Sequence, residues 1–173
     1  MTPVRPTLRD AGPGDRDAIA ALHLASWRDA YGVALPRAYL DGALARDLAA
    51  RWAARDLAPP LLTLCAWDAE GGDLAGFLCC ETDRAVPYVD NLHAHPARRG
   101  EGIGRALMAG CGARLRAMGH AACELTVLEA NPAARRFYRR LGGAEGAPRD
   151  AAIFGHPVRE VPVRFDLATL AGP

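Results

Sequence analysis

His95 to Met108, HPARRGEGIGRALM, reads as the end of a strand, a basic turn bearing glycines, and the start of a helix. Gly100, Gly102 and Gly104 remove the side chains that would keep a charged ligand away from the backbone, and glycine accepts the positive φ of a tight turn. With a helix starting near Gly102, the first turn offers unpaired N–H groups and the positive end of the helix dipole, and both favour an anion. Arg98, Arg99 and Arg105 add positive charge. A phosphate or pyrophosphate is the natural guest, and an ordinary strand-to-helix turn rich in glycine and arginine is the plain alternative. The spacing from Arg99, R-x-x-G-x-G, matches neither the six-residue glycine pattern of dinucleotide folds nor the Walker loop.

Upstream of this turn, YVDNLHAH (residues 88–95) predicts a strand. LLTLCAW (61–67) and LAGFLCCE (74–81), joined by a turn over residues 68–73, predict a hairpin before it. Adjacent residues of a strand point to opposite faces, so Cys79 and Cys80 are read as small apolar residues rather than a disulfide. Ahead of the hairpin, Thr7 to Asp10 predicts a short first strand. Gly12-Pro13 predicts a helix start, with Ile19, Leu22, His23 and Ser26 at helical spacing. Further helical segments are expected from Pro36 to Leu40 and from Leu44 to Leu57, and Met1 to Pro6 is expected to be a loose tail. Trp27 and Tyr31 lie four residues apart on one helix face, and with Tyr39 they line an acceptor pocket or pack in the core.

Downstream, Ile103, Leu107, Cys111, Leu115 and Met118 form a stripe that packs on the sheet, and Gly119 stops that helix. ACELTVLEA (122–130) predicts the next strand, and Asn131-Pro132 the cap and first turn of a short helix ending at Gly142. On that helix Ala134, Phe137, Tyr138 and Leu141 share one face, with Arg135, Arg136, Arg139 and Arg140 opposite. Two closing strands are expected, Ala144 to Phe154 and Val158 to Leu167. Pro162 puts the last of these near a sheet edge or makes it irregular, and an edge would allow a homodimer.

The 173 residues suit one domain, 1–173, with a core that needs no disulfide or metal support. Half of them are hydrophobic, 24% are charged and the net charge is +1. That balance points away from disorder and from a nucleic-acid surface. The five cysteines are odd in number and lack C-x-x-C spacing, so a reducing compartment is expected. With no signal segment and no apolar run able to span a bilayer, the protein is expected to be cytoplasmic. The element order predicts a mixed α/β (α+β) fold wound on one sheet.

R-x-x-G-x-G at Arg99 to Gly104 is followed at fitting distance by N-x-x-A-x-x-F-Y at Asn131 to Tyr138. W-x-x-x-Y at Trp27 to Tyr31 and P-x-x-Y-L-D at Pro36 to Asp41 stand near the amino end. With these motifs the chain resembles the GNAT superfamily of acetyl-coenzyme A dependent N-acetyltransferases over nearly its whole length. The resemblance implies a central, mostly antiparallel twisted sheet, splayed at the cofactor site and flanked by four to five helices. It implies acetyl-CoA as acyl donor. The pyrophosphate would rest on the backbone of Arg99, Gly100, Glu101, Gly102, Ile103, Gly104 and Arg105, with pantetheine along Leu92, His93 and Ala94. Asn131, Phe137 and Tyr138 would complete the cofactor site. It also implies a bulge in the strand before the turn, opening a V-shaped gap. Two positions depart from the family pattern: Tyr88 stands where many relatives carry a strand glutamate, and Gly143 where a phenylalanine often follows the helix glycine.

An amine attacks a thioester only as the free base, while an alkyl ammonium resembling lysine has a pKa of about 10.4, so some group must take its proton. Asp90, Glu81 and Glu129 are the acids best placed by the strand reading, Asp90 first; Glu129 doubles as an acceptor-binding residue, and a solvated carboxylate is the plain reading of each. His93 is a weaker choice, and with His95 it makes too little for a metal site, so no metal is expected. Tyr138 is the expected acid at the departing thiolate, and a core aromatic is its plain reading. The sequence thus predicts direct acetyl transfer to a primary amine of a small molecule or a protein. A noncatalytic CoA-binding or sensing domain and an acyltransferase using a larger acyl-CoA are the alternatives. Neither nucleic acid nor membrane is expected as a partner.

Overall fold

The structure, a computed structural model, describes residues 6–68 and 72–170. Of the expected amino-terminal tail all but Pro6, and the middle of the turn over residues 68–73, lie outside it. In chain order the elements are β1 (Thr7–Asp10), α1 (Arg16–Ala30), α2 (Arg37–Asp41), α3 (Leu44–Ala54), β2 (Leu61–Trp67), β3 (Leu74–Glu81) and β4 (Tyr88–Ala94). They continue with α4 (Ile103–Ala117), β5 (Ala122–Leu128), α5 (Pro132–Arg140), β6 (Ala144–Glu145), β7 (Arg149–Ile153) and β8 (His156–Asp166). The strands form one sheet in the order β1-β2-β3-β4-β5-β8-β6, with β7 also on β8. Every pairing is antiparallel except β4 with β5.

Helices cover both faces. On one, the predicted stripe of α4 buries Ile103, Leu107, Cys111 and Leu115 against Leu64, Leu78, Leu125 and Phe165, each such leucine stabilising the fold by about 2 kcal/mol. Met118, the last expected member, is instead 54% exposed, because the helix ends at Ala117 and Gly119 turns away with φ 90°. On the other face, Ile19 and Leu22 of α1 and Trp52 of α3 pack on Cys65, Phe77 and Cys79 of the sheet. Cys79 therefore faces α1 and α3 while Cys80 faces α4, as strand alternation requires.

The pairing of β3 with β4 slips once. Cys79 opposes Asn91 but Cys80 opposes Val89, so Asp90 is an extra residue, a β-bulge. The bulge resets which side chains face which layer. Val89 lies in the α4 core and Leu92 and Ala94 pack against that core, whereas His93 turns toward Phe77 and α1. Beyond the bulge β4 and β5 part company, since Tyr88 opposite Glu124 is their one paired position. The sheet is splayed there.

The closing region differs from expectation. The first predicted strand is broken into β6 and β7, and β8 is longer than predicted, beginning at His156. β8 is also no edge strand: β5 covers one side, and β6 and β7 share the other. Pro162 is tolerated because it falls in the gap between the stretches paired to β6 and β7, so it owes no N–H to that side. The edge on which a homodimer was expected is therefore occupied. α3 stops at Ala54, three residues early. At Gly143 a Cβ would meet Val163 Cγ1 at 2.6 Å and Phe165 Cε1 at 2.9 Å. Phe165 fills the space, which is why no larger residue can follow Gly142.

Candidate active site

The glycine turn has the geometry that its composition predicts. Gly100 and Gly102 have φ of 87° and 80°, and a Cβ at either would meet nothing within 4 Å, so the turn stands open. Gly102 caps α4 in the left-handed region. Ala106 N–H is the first to reach a helical acceptor, Gly102 O at 2.9 Å, which leaves the N–H groups of Ile103, Gly104 and Arg105 free among the described residues. Arg98 is held by Glu101 at 2.7 Å and by Asp68, and Arg99 pairs with Asp29. Glu101 is thus a partner of the turn's own arginine. Arg105 is exposed, with no ion pair among the described residues.

The second motif meets the first directly. A Cβ on Gly104 would lie 3.1 Å from Phe137 Cζ, so α4 and α5 approach as closely as a glycine permits. The Asn131 side chain accepts a hydrogen bond from Ala134 N–H (3.0 Å) and caps α5, leaving its amide nitrogen without a partner among the described residues. Tyr138 is 9% exposed and packs edge-on to Phe165. Burial and the neighbouring phenols of Tyr31 and Tyr88 raise its pKa, so its hydroxyl keeps its proton. The Tyr31 phenol is pushed up to about 12 by burial and by Tyr88 and Asp90. The Tyr88 phenol is also raised by burial, against its hydrogen bond with Thr126 Oγ1 (2.8 Å). Tyr31 and Tyr88 line the cavity where β4 leaves β5, whereas Tyr138, the expected acid, lies in the core under α4 and is not part of that lining.

A cavity of about 250 Å³ opens at this splay. α1 supplies Trp27 and Tyr31, with rings stacked at 4.5 Å and 8°, as the four-residue spacing predicts. β4 supplies Tyr88, Asp90, Asn91 and His93, β5 supplies Thr126, and the β7–β8 hairpin supplies Phe154 and Glu160. Oδ2 of Asp90 accepts hydrogen bonds from Arg51 (2.9 Å), Arg55 (2.6 Å) and Asn91 (2.6 Å), while Oδ1 has no partner among the described residues. Glu160 is arranged similarly: Oε1 accepts from Arg149 at 3.0 Å and Oε2 has none. Glu81 and Glu129 do not line the cavity. Glu81 pairs with Arg84 and, at 3.9 Å, with Arg55; Glu129 pairs with Arg159 at 2.8 Å. Tyr39 also lies outside the lining. It donates to Asp47 (2.9 Å) and stands behind Phe154 with 6.2 Å between ring centroids.

Behind the cavity wall His23 packs against His93, their rings tilted at 36°. His23 and His93 have ring centroids 4.4 Å apart. Trp52 Nε1 donates to His23 Nδ1 (3.0 Å), and Ser26 Oγ shares a hydrogen bond with His93 Nδ1 (2.9 Å). Burial drives both pKa values down, that of His93 to about 3, so both rings are neutral. His23 Nε2 is buried with no partner among the described residues.

Phe154, Glu160 and the Arg51–Asp90–Arg55 cluster are missing from the sequence reading. In the sequence Phe154 closes a predicted strand, and only the following Gly155 signals a turn. Arg51 is in the last turn of α3 and Arg55 is the extended residue that follows it, a local pattern that does not mark the carboxylate they meet.

The chain belongs to the Acetyltransferase (GNAT) family, whose model matches residues 19–143. Solved structures agree. A GCN5-related N-acetyltransferase from Rhodopseudomonas palustris is 25% identical, with 96% of this chain and 98% of that one covered and a TM-score of 0.76. PaiA N-acetyltransferase from Thermoplasma acidophilum, solved with coenzyme A, is 18% identical over 90% and 96% of the two chains, TM-score 0.73. YncA from Salmonella typhimurium, solved with its cofactor acetyl-CoA, is 22% identical over 97% of each chain, TM-score 0.66. No curated protein sequence matches this chain. The family and fold together make it an acyltransferase of the acetyl-CoA class.

Proposed function

We propose that this chain transfers the acetyl group of acetyl-CoA directly to a primary amine, without a covalent enzyme intermediate. The observation that carries the reading is the splay between β4 and β5. It brings together the free N–H groups of the α4 terminus and a cavity bearing two carboxylates, each with one oxygen free among the described residues. Acetyl-CoA supplies an activated thioester carbonyl. The open turn at Gly100 and Gly102 and the N–H groups of Ile103 to Arg105 fit its pyrophosphate. The unpaired edge of β4 at Leu92, His93 and Ala94 fits the pantetheine amides, and an N–H there polarises the carbonyl.

Asp90 through Oδ1, with Glu160 as the second carboxylate on the cavity, receives the amine proton directly or through water. Glu81 joins this network only through Arg55. Tyr138, its pKa raised, serves the departing thiolate by donating a hydrogen bond rather than by giving up its proton. Five free, buried cysteines support placement in a reducing compartment such as the cytoplasm.

Release of coenzyme A with a panel of primary amines tests the reading. Tyr138→Phe should lower kcat about a hundredfold while leaving acetyl-CoA binding unchanged. Amine-independent release in the native chain would overturn it.

A further inference from the structure

Phe154 and Gly155 form the two-residue turn of the β7–β8 hairpin, between the paired Ile153 and His156. Both have positive φ, 47° and 79°, the geometry that suits an Asn-Gly pair. Phe154 is the one non-glycine residue with positive φ among the described residues. An aromatic side chain is a poor choice for that backbone, and burial does not explain it, since Phe154 is 38% exposed. Its ring instead walls the cavity, edge-on to Trp27 at 5.9 Å, while Trp27 is stacked on Tyr31. Strained residues of this kind persist where the side chain's position is worth more than the backbone's comfort. The same cavity is lined by the carboxylates of Asp90 and Glu160, each with one oxygen free of partners among the described residues.

We infer that Phe154 is a specificity-determining residue of the acceptor site, selecting a primary amine that carries a flat apolar group about one ring in size. This rests on the acetyl transfer proposed above. The amine end is drawn to Asp90 and Glu160, and the apolar end lies against Trp27, Tyr31 and Phe154, where aromatic faces stack on a ring. Against Trp27, Tyr31 and Phe154 a polyhydroxylated group is disfavoured, because its hydroxyls would leave water for ring faces that offer no hydrogen bond. The hydrogen-bonding residues Asn91 and Thr126 lie elsewhere on the lining, on β4 and β5. The guanidinium of Arg51, bonded to Asp90 and also on the cavity lining, disfavours a second cationic group on the acceptor.

Coenzyme A release by the full chain, measured with phenethylamine, butylamine and glucosamine, tests this. The native chain should favour phenethylamine over glucosamine in kcat/KM by about tenfold or more. Phe154→Asn suits the turn and should raise Tm by a few degrees. It should also cut that preference about tenfold, mostly through KM for the amine, with KM for acetyl-CoA unchanged. Phe154→Tyr, which keeps the ring, should keep the preference. A Phe154 that serves only the hairpin would give the gain in Tm with no change in the amine ratio. A preference that stays within about twofold in Phe154→Asn, or a native chain that acetylates the three amines alike, overturns the inference and leaves acetyl transfer standing. A native chain that acetylates none of them overturns both.

Discussion

The two sides of the splay are built from different material. The side proposed to hold the donor is backbone: a glycine turn, the start of α4, and a helix contact at Gly104 and Phe137 in which the absence of a side chain is what matters. The side proposed to hold the acceptor is side chain: Trp27, Tyr31, Asp90, Phe154 and Glu160, carried by the end of α1, β4 and the β7–β8 hairpin. Backbone presents the same N–H groups whatever the neighbouring residues, so the donor side can serve one cofactor through wide sequence change. A wall of side chains can be altered one residue at a time. The difference places cofactor identity and acceptor identity on separate structural footings.

Acid should strike the acceptor side hardest. His23 and His93 titrate near pH 6.5 in an unfolded chain, but in the fold His93 holds off protonation to about 3 and His23 is shifted the same way. The unfolded state therefore binds more protons in that window, and stability falls as pH drops from 6.5 toward 3. The loss is about 1.5 kcal/mol per histidine between pH 6.5 and 5. Urea unfolding at the two values measures it, and His93→Gln should remove about half of the slope.

On the donor side, Gly76→Ala is the sharpest probe of backbone packing. A Cβ there would meet Ile103 Cγ2 at 2.6 Å and His93 O at 2.9 Å, pushing the first turn of α4 off the sheet. The expected cost is about 2 kcal/mol in urea unfolding, with weaker acetyl-CoA binding and an unchanged ranking of amines. A changed ranking would show that the two sides are not separable. The smallest expected effect belongs to Arg105→Ala. It should raise the Kd for acetyl-CoA about threefold at low salt, with the difference fading at high salt, since Arg98 and Arg99 already have carboxylate partners.

The same division explains what could be read from the chain. The strands Leu61–Trp67 and Leu74–Glu81 match the expected boundaries, because glycine, proline and a period of two mark them, and α5 begins at Pro132 after its Asn131 cap. The open turn at Gly100 and Gly102 and the Asn131 cap, on which the proposed donor site rests, were legible because backbone conformation dictates those residue types. Phe154 and Glu160 were not, because they reach the cavity only when β7 folds back on β8, and no local pattern records that partner. The bulge left a faint trace, since Val89 and Leu92 face the same layer although three residues apart. The bonding of Arg51 and Arg55 to Asp90 left none, being a contact across more than thirty positions.

That contact makes Asp90 a joint. The residue that breaks the register of β4 is also the one that pins α3 to the sheet, so the kink in the strand and the seat of the helix share one fastening. Opening either in a local fluctuation loosens the other. Amide exchange at Asn91 and His93 should therefore rise and fall together with exchange along Leu48 to Trp52, two stretches with no backbone bond between them.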